Sequence, residues 1–261
     1  MSSPQTAILA KVGIRVSTRI GIGDAVQFTS LPENYFRCKG EMLADLEHHW
    51  VFDHNPYVVR YVQKVEEEHD LWRILTAGKR VKVNDRPVLL CNAEAHLHQF
   101  KIPMILNRPR LYQFEDFPFE DRNMIFLHVK GVSHGQMPEH IVDHILDKYG
   151  EKNIVVIGPR EDWIYKRNMH RNIHPNTLWE LASIISKARM FIGVDSGPSW
   201  IAQCYPDVIT KKVRLFPDVE ALRNWVPLEW CRLGSYWDDR SAMIYNPSEN
   251  DAGFTWSYKK I

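Results

Sequence analysis

The run TLWELASIISKARMFIGVDSGPSWIAQ, residues 177–203, carries side chains whose types and order suit the holding of an anion. Leu178, Leu181, Ile184 and Ile185 recur at helical spacing. The apolar run 190–194, bounded by Arg189 and Asp195, reads as a strand covered on both faces. Asp195, Ser196, Gly197, Pro198 and Ser199 follow it at once, and they combine cap-type side chains, a permissive glycine and a proline suited to the first turn of a helix. Such a turn points backbone N–H groups and a partial positive charge into the crevice at the carboxyl edge of a parallel sheet, where anions bind. Ser196, Gly197 and Ser199 would offer N–H and hydroxyl donors to phosphates. Asp195 would repel the anion and suits sugar or ribose hydroxyls instead. The same residues also suit a plain helix cap and turn.

A second stretch, GIRVSTRIGIGDAVQFTSLP, opens with a strand over 12–17, continues through a glycine loop, and enters a helix at Asp24 with Ala25, Val26 and Phe28 on its apolar side. Strand, glycine loop and helix make half of a nucleotide-binding α/β unit. The glycines stand as G-x-G-D without the full dinucleotide fingerprint, which disfavours a nicotinamide enzyme.

The elements that must position these two stretches alternate. After 120 the order is strand (MIFLHVKG), helix (MPEHIVDHILDKYG), strand (NIVVIGP), helix and strand, the pattern of parallel β-strands joined by right-handed crossovers. The segment RPRLYQFEDFPFEDRN, rich in proline and acid, reads as a linker and places a domain boundary near residue 120. Between the first unit and that linker, EMLADL is expected as a short helix, HWVFDHNPYV as a strand and VRYVQKVEEEHDLWRI as a helix. Val88 to Cys91 reads as a strand, and AEAHLHQF as the start of a helix on which His96 and His98 fall on different faces and make a poor metal pair.

Both stretches resemble glycosyltransferase family 9, the heptosyltransferase-like enzymes of GT-B fold. Gly23, Asp24, Thr29 and Pro32 match that family's G-D-x-x-x-x-T-x-x-P loop, D-S-G-P at 195–198 matches its donor turn, and IVVIGP at 154–159 its intervening strand. The resemblance covers 12–36 and 125–218. It implies an α/β protein with two Rossmann-like parallel-sheet domains facing a cleft, the N-terminal one reduced: 1–120 on the acceptor side and 121–261 binding the nucleotide sugar, with a terminal segment crossing back. It further implies an inverting, metal-independent transfer of a sugar to a glycan hydroxyl, lipopolysaccharide-like, with no cofactor. Asp24 matches the family's loop aspartate and is the candidate general base, a position that equally suits a helix cap.

The chain departs from the family in two places. Trp200 stands where the family usually has histidine, and HVKGVSHGQMP stands where it has K-x-W-P. Lys130, His134, Arg160 or Arg167 would then supply positive charge to the donor, with Lys130 and Arg160 the first candidates, and Trp163 would stack a base or pack in the core.

Composition narrows the partners. With 33 basic against 32 acidic residues there is no general attraction to polyanions, so nucleic acid is not expected as a partner and a transferase acting on modified DNA bases is disfavoured. Cysteines at 38, 91, 204 and 231 form no C-x-x-C pair, which fits reduced thiols in a cytoplasmic protein. No apolar run is long enough to span a bilayer, and the first residues lack a secretory pattern; peripheral contact with a membrane carrying a lipid-linked acceptor stays open. A non-catalytic nucleotide-sugar or glycan-binding module of the same fold is the competing reading.

Overall fold

In the computed structural model the described residues are 10–17, 20–62, 64–71, 73, 80–83, 86–89, 99–103, 105–106, 108–112, 123–131, 135–158, 171–194, 196–215 and 243–245. They fall into two compact units, one built on a four-stranded and the other on a six-stranded sheet. Most of the linker expected before 123 lies outside the described residues, as does the segment expected to cross back, apart from Met243–Tyr245, which form a strand of the six-stranded sheet.

The first unit opens with β1 (Val12–Arg15), followed by α1 (Ile22–Gln27) and α2 (Ser30–Lys39). Then come β2 (Leu43–Asp45), a 3₁₀ turn at Trp50–Phe52, β3 (Val58–Val59) and β4 (Glu67–Asp70). All pairings are parallel in the order β3-β2-β1-β4. A separate antiparallel hairpin joins β5 (Arg80–Val83) to β6 (Arg86–Leu89).

Three expectations are corrected here. The stretch expected as a helix at EMLADL holds β2, fully buried between its neighbours, because its three residues continue the main-chain ladder beside β1. HWVFDHNPYV folds as the 3₁₀ turn and the two-residue β3. The expected helix at VRYVQKVEEEHDLWRI holds the edge strand β4, whose charged residues suit an edge exposed to water. Helix α1 also begins two residues ahead of Asp24. Strand β6 ends at Leu89, and AEAHLHQF, with His96 and His98, lies outside the described residues up to 98.

Asn34 and Glu33 lock helix α2 to the chain beyond it. Asn34, fully buried, accepts from the backbone N–H groups of Ile105 (2.7 Å) and Leu106 (2.9 Å), and donates to Ser30 O and Leu106 O. Truncation would leave those backbone groups without their partner, so Asn34→Ala is expected to cost roughly 1–3 kcal/mol in urea unfolding. Nearby, the buried carboxylate of Glu33 takes Arg37, Arg110 and the Tyr112 hydroxyl, which burial and this carboxylate hold in its protonated form.

The second unit contains β7 (Ile125–His128), the hairpin β8 (Lys130–Gly131) with β9 (Gly135–Gln136), α3 (Glu139–Tyr149), β10 (Ile154–Ile157) and β11 (Asn172–Ile173). It continues through α4 (Leu178–Ser186), β12 (Met190–Val194), α5 (Gly197–Gln203), β13 (Ile209–Leu215) and β14 (Met243–Tyr245). The sheet is parallel throughout, in the order β11-β10-β7-β12-β13-β14. Strands β7 up to Leu127, β10 and β12 are continuous apolar runs because both of their faces are covered. Ile141, Val142 and Ile145 of α3 join Ile125, Leu127, Ile154, Val156, Ile192 and Val194 in one core. Thr177 caps α4 by accepting from Glu180 N–H, which sets the entry of the helix that delivers β12.

Candidate functional site

The order of the second sheet places β7 and β12 side by side, so their carboxyl ends form one edge. Gly193 stands opposite His128 in the register. A Cβ on Gly193 would lie 2.8 Å from the Phe191 ring and 3.1 Å from both His128 Cβ and its carbonyl oxygen. The glycine therefore lets the end of β12 approach β7 closely. Overpacking at such a point strains backbone as well as side chain, so Gly193→Ala is expected to destabilise the chain by about 1–3 kcal/mol, measured by denaturant unfolding.

That approach brings His128 to the turn after β12. Its ring stacks on Phe191 at a centroid distance of 6.5 Å and an angle of 25°, and Nδ1 lies 3.3 Å from Ser196 Oγ. Ser196 donates its hydroxyl proton to Val194 O at 3.1 Å. The pair is complete when Nδ1 carries the ring proton and donates to Ser196 Oγ. Only 6% of His128 is exposed, and burial pushes its pKa down to about 4, so the ring is neutral near pH 7. Sequence reading passed over this residue. Its signal is a lone polar side chain ending the otherwise apolar strand IFLH, at the edge where parallel α/β sheets bind ligands.

The turn itself is internally braced. Ser199, fully buried, accepts the Ser196 N–H at 3.1 Å and donates its hydroxyl to Ser196 O at 2.8 Å. Ser199 and Trp200 N–H groups also bond Ser196 O. Thus Ser199 holds the turn from within, while Ser196, Gly197 and Pro198 are partly exposed on it. Gly197 is the first helical residue and Pro198 the second, where the missing N–H costs no helix bond. Trp200, the departure from histidine, is buried. Lys130 is exposed in β8, just past the end of β7. Asp195 and Arg160 lie outside the described residues, with His134, Trp163 and Arg167.

In the first unit, Gly23 and Asp24 are partly exposed in α1, the short helix that follows β1. Ala25, Val26 and Gln27 are buried behind them, so packing of the helix fixes the place of Asp24. Thr29 extends the same local frame: its hydroxyl donates to Val26 O and accepts from Arg110 N–H. Among the described residues, no group of three or more His, Cys, Asp or Glu stands in reach of one metal ion. No described helix is long and apolar enough to cross a membrane.

No protein-family model and no curated protein sequence matches the chain. Solved structures do. The iron-containing dodecameric glycosyltransferase TibC from enterotoxigenic E. coli H10407 is similar over 79% of this chain, with a TM-score of 0.59 and 12% identity. A heptosyltransferase TibC complex with ADP-D-β-D-heptose gives a TM-score of 0.57, 14% identity and 81% of this chain. The chain spans 58% and 63% of the length of these two. A glycosyltransferase family 9 protein from Veillonella parvula DSM 2008 gives a TM-score of 0.58 at 12% identity, covering 92% of this chain and 87% of its own. The E. coli ADP-heptose LPS heptosyltransferase II gives 0.52 at 13% identity, covering 90% of each. Two parallel sheets with helices, in the strand order described and matched over most of the chain by these proteins, identify the GT-B-type α/β fold of the family 9 glycosyltransferases.

Proposed function

We propose that the chain is a heptosyltransferase-like glycosyltransferase that moves a sugar from a nucleotide-sugar donor to a hydroxyl of a glycan or lipid-linked glycan. The observation that carries this reading is the braced turn after β12, beside a buried neutral histidine, on a fold whose solved relatives include an ADP-heptose complex. In this reading residues 121–261 hold the donor and 1–120 the acceptor. The diphosphate lies at Ser196 and Gly197, with Lys130 and Arg160 supplying positive charge and Asp195 taking a sugar or ribose hydroxyl. Pro198 and Ser199 keep the turn in shape, and Gly23, without a side chain in the first turn of α1, lets the acceptor approach beside Asp24.

The chemistry is a single displacement. The acceptor oxygen forms a bond to the anomeric carbon from the face opposite the diphosphate, and its proton passes to the Asp24 carboxylate. The bond from carbon to diphosphate oxygen breaks, and the nucleoside diphosphate leaves with that electron pair. Attack from the rear inverts the anomeric centre. Fixed donors and cations at the turn offset the charge that develops on the leaving group. The sequence offers no Asp-x-Asp pair for a bridging divalent ion, which supports the metal-independent form of the reaction. The reading places the chain in the cytoplasm, in glycan biosynthesis, with peripheral membrane contact when the acceptor is lipid-linked.

The test is incubation with ADP-, UDP- and GDP-sugars plus glycan acceptors, reading released nucleoside diphosphate. One donor should give acceptor-dependent release. Donor binding without release from any acceptor would favour the non-catalytic module.

A further inference from the structure

The carboxyl edge of the first sheet presents two rings that the proposed reaction does not use. Tyr61, two residues past β3, is 84% exposed, and its ring centroid lies 5.4 Å from that of His48, three residues past β2. The two rings are inclined by 44°. His48 is itself exposed and holds φ at 52°, a backbone region that non-glycine residues seldom occupy.

A partly buried polar frame holds the backbone on either side of this pair. Arg60, next to Tyr61, donates to His49 O at 2.9 Å, pairs with Asp53 and lies 3.9 Å from Asp45. Asp45, fully buried at the end of β2, accepts the Glu47 N–H at 3.2 Å. The loop holding His48 is therefore tied to β2 on one side and to Arg60 on the other. A tyrosine presented on such a frame gives a large amphipathic contact surface at small entropic cost.

Charge selects the ligand class. At this edge Arg15 faces Glu47 and Glu68, and Arg60 faces Asp53 and Asp45. Each of these two described arginines is matched by two carboxylates, so neither offers unmatched positive charge to a phosphate or carboxylate on the acceptor. An uncharged sugar suits the site: its C–H face covers the rings, and its hydroxyls meet exposed acceptors such as Glu47.

We infer that Tyr61 and His48 form a subsite for an uncharged pyranose of the acceptor glycan. The inference takes the acceptor side from the proposed function but is tested by binding alone. Saturation-transfer NMR would be run with neutral methyl pyranosides (gluco, galacto and manno) and with the matching glucuronide. The wild-type chain, Tyr61→Phe, Tyr61→Ala and His48→Gly would be compared, the last keeping the positive φ while removing the ring. A neutral pyranoside should bind more tightly than the glucuronide. Binding should persist in Tyr61→Phe and weaken about tenfold or more in Tyr61→Ala and His48→Gly. Equal binding in wild type and Tyr61→Ala, preference for the glucuronide, or no transfer to any pyranoside overturns the inference. ADP binding in the same samples separates the two claims: its absence sinks the donor reading, and its persistence in Tyr61→Ala shows that only the sugar subsite changed.

Discussion

Asp24→Asn is expected to lower the rate of donor-dependent transfer by about 10²–10⁴-fold, the range of a positioned general base. The substitution keeps size and leaves the buried face of α1, Ala25 to Gln27, untouched. It removes the carboxylate that the proposed reaction uses to take the hydroxyl proton and leaves the residues of the turn after β12 unchanged. The loss should therefore appear in kcat, with the KM for the nucleotide sugar and the affinity for ADP unchanged. Steady-state assays of released nucleoside diphosphate, paired with calorimetric ADP titration, read both quantities. A variant with wild-type kcat would leave Asp24 as a helix residue only. A variant that loses ADP binding would place it on the donor instead.

The second large effect concerns stability in acid. His128 has its pKa lowered from 6.5 to about 4 because burial penalises the imidazolium. A lowered pKa means that the unfolded chain binds the proton first. The contribution of this group is then complete above about pH 6.5, declines below it, and is lost as pH falls through about 4. The gap of 6.5 − 4 = 2.5, at about 1.4 kcal/mol per pH unit, amounts to roughly 3 kcal/mol. Other groups titrate in the same range, so the informative quantity is a difference. Urea unfolding of wild type and His128→Leu at a series of pH values should show the wild type losing roughly 3 kcal/mol relative to the variant between pH 7 and 4. Parallel curves would mean that the ring is not buried neutral. Because His128 bonds Ser196, the same acid range should also weaken ADP binding in the wild type.

The parts of this molecule that were legible in the sequence are those whose side chains alone report their surroundings. IFL, IVVI and MFIGV are unbroken apolar runs because each strand is covered on both faces, and no solvated helix carries that pattern. The turn at 196–199 was legible because glycine, proline and serine have narrow backbone roles. Strand β4 was not. Its residues EEHD are held by main-chain bonds to β1, which leave no mark on composition, and the apolar spacing around them mimics a helix. Strand β2 was hidden for a similar reason, since three residues are too few to show a period.

The site divides along the same line. Ser196 and Gly197 are candidates from residue type and order alone, whereas the His128 contact with Ser196 arises only because Gly193 lets β12 approach β7 in register. No spacing along the chain encodes a contact between residues 68 positions apart. Likewise Ser199 looks like a ligand donor in sequence, and the fold spends its hydroxyl on the backbone of Ser196.

A crystal structure of the chain grown with ADP tests the account most directly. The diphosphate oxygens should lie within hydrogen-bond distance of the Gly197 N–H, against the turn that His128 supports. ADP bound elsewhere on the chain, or bound with no contact to residues 195–199, would contradict it.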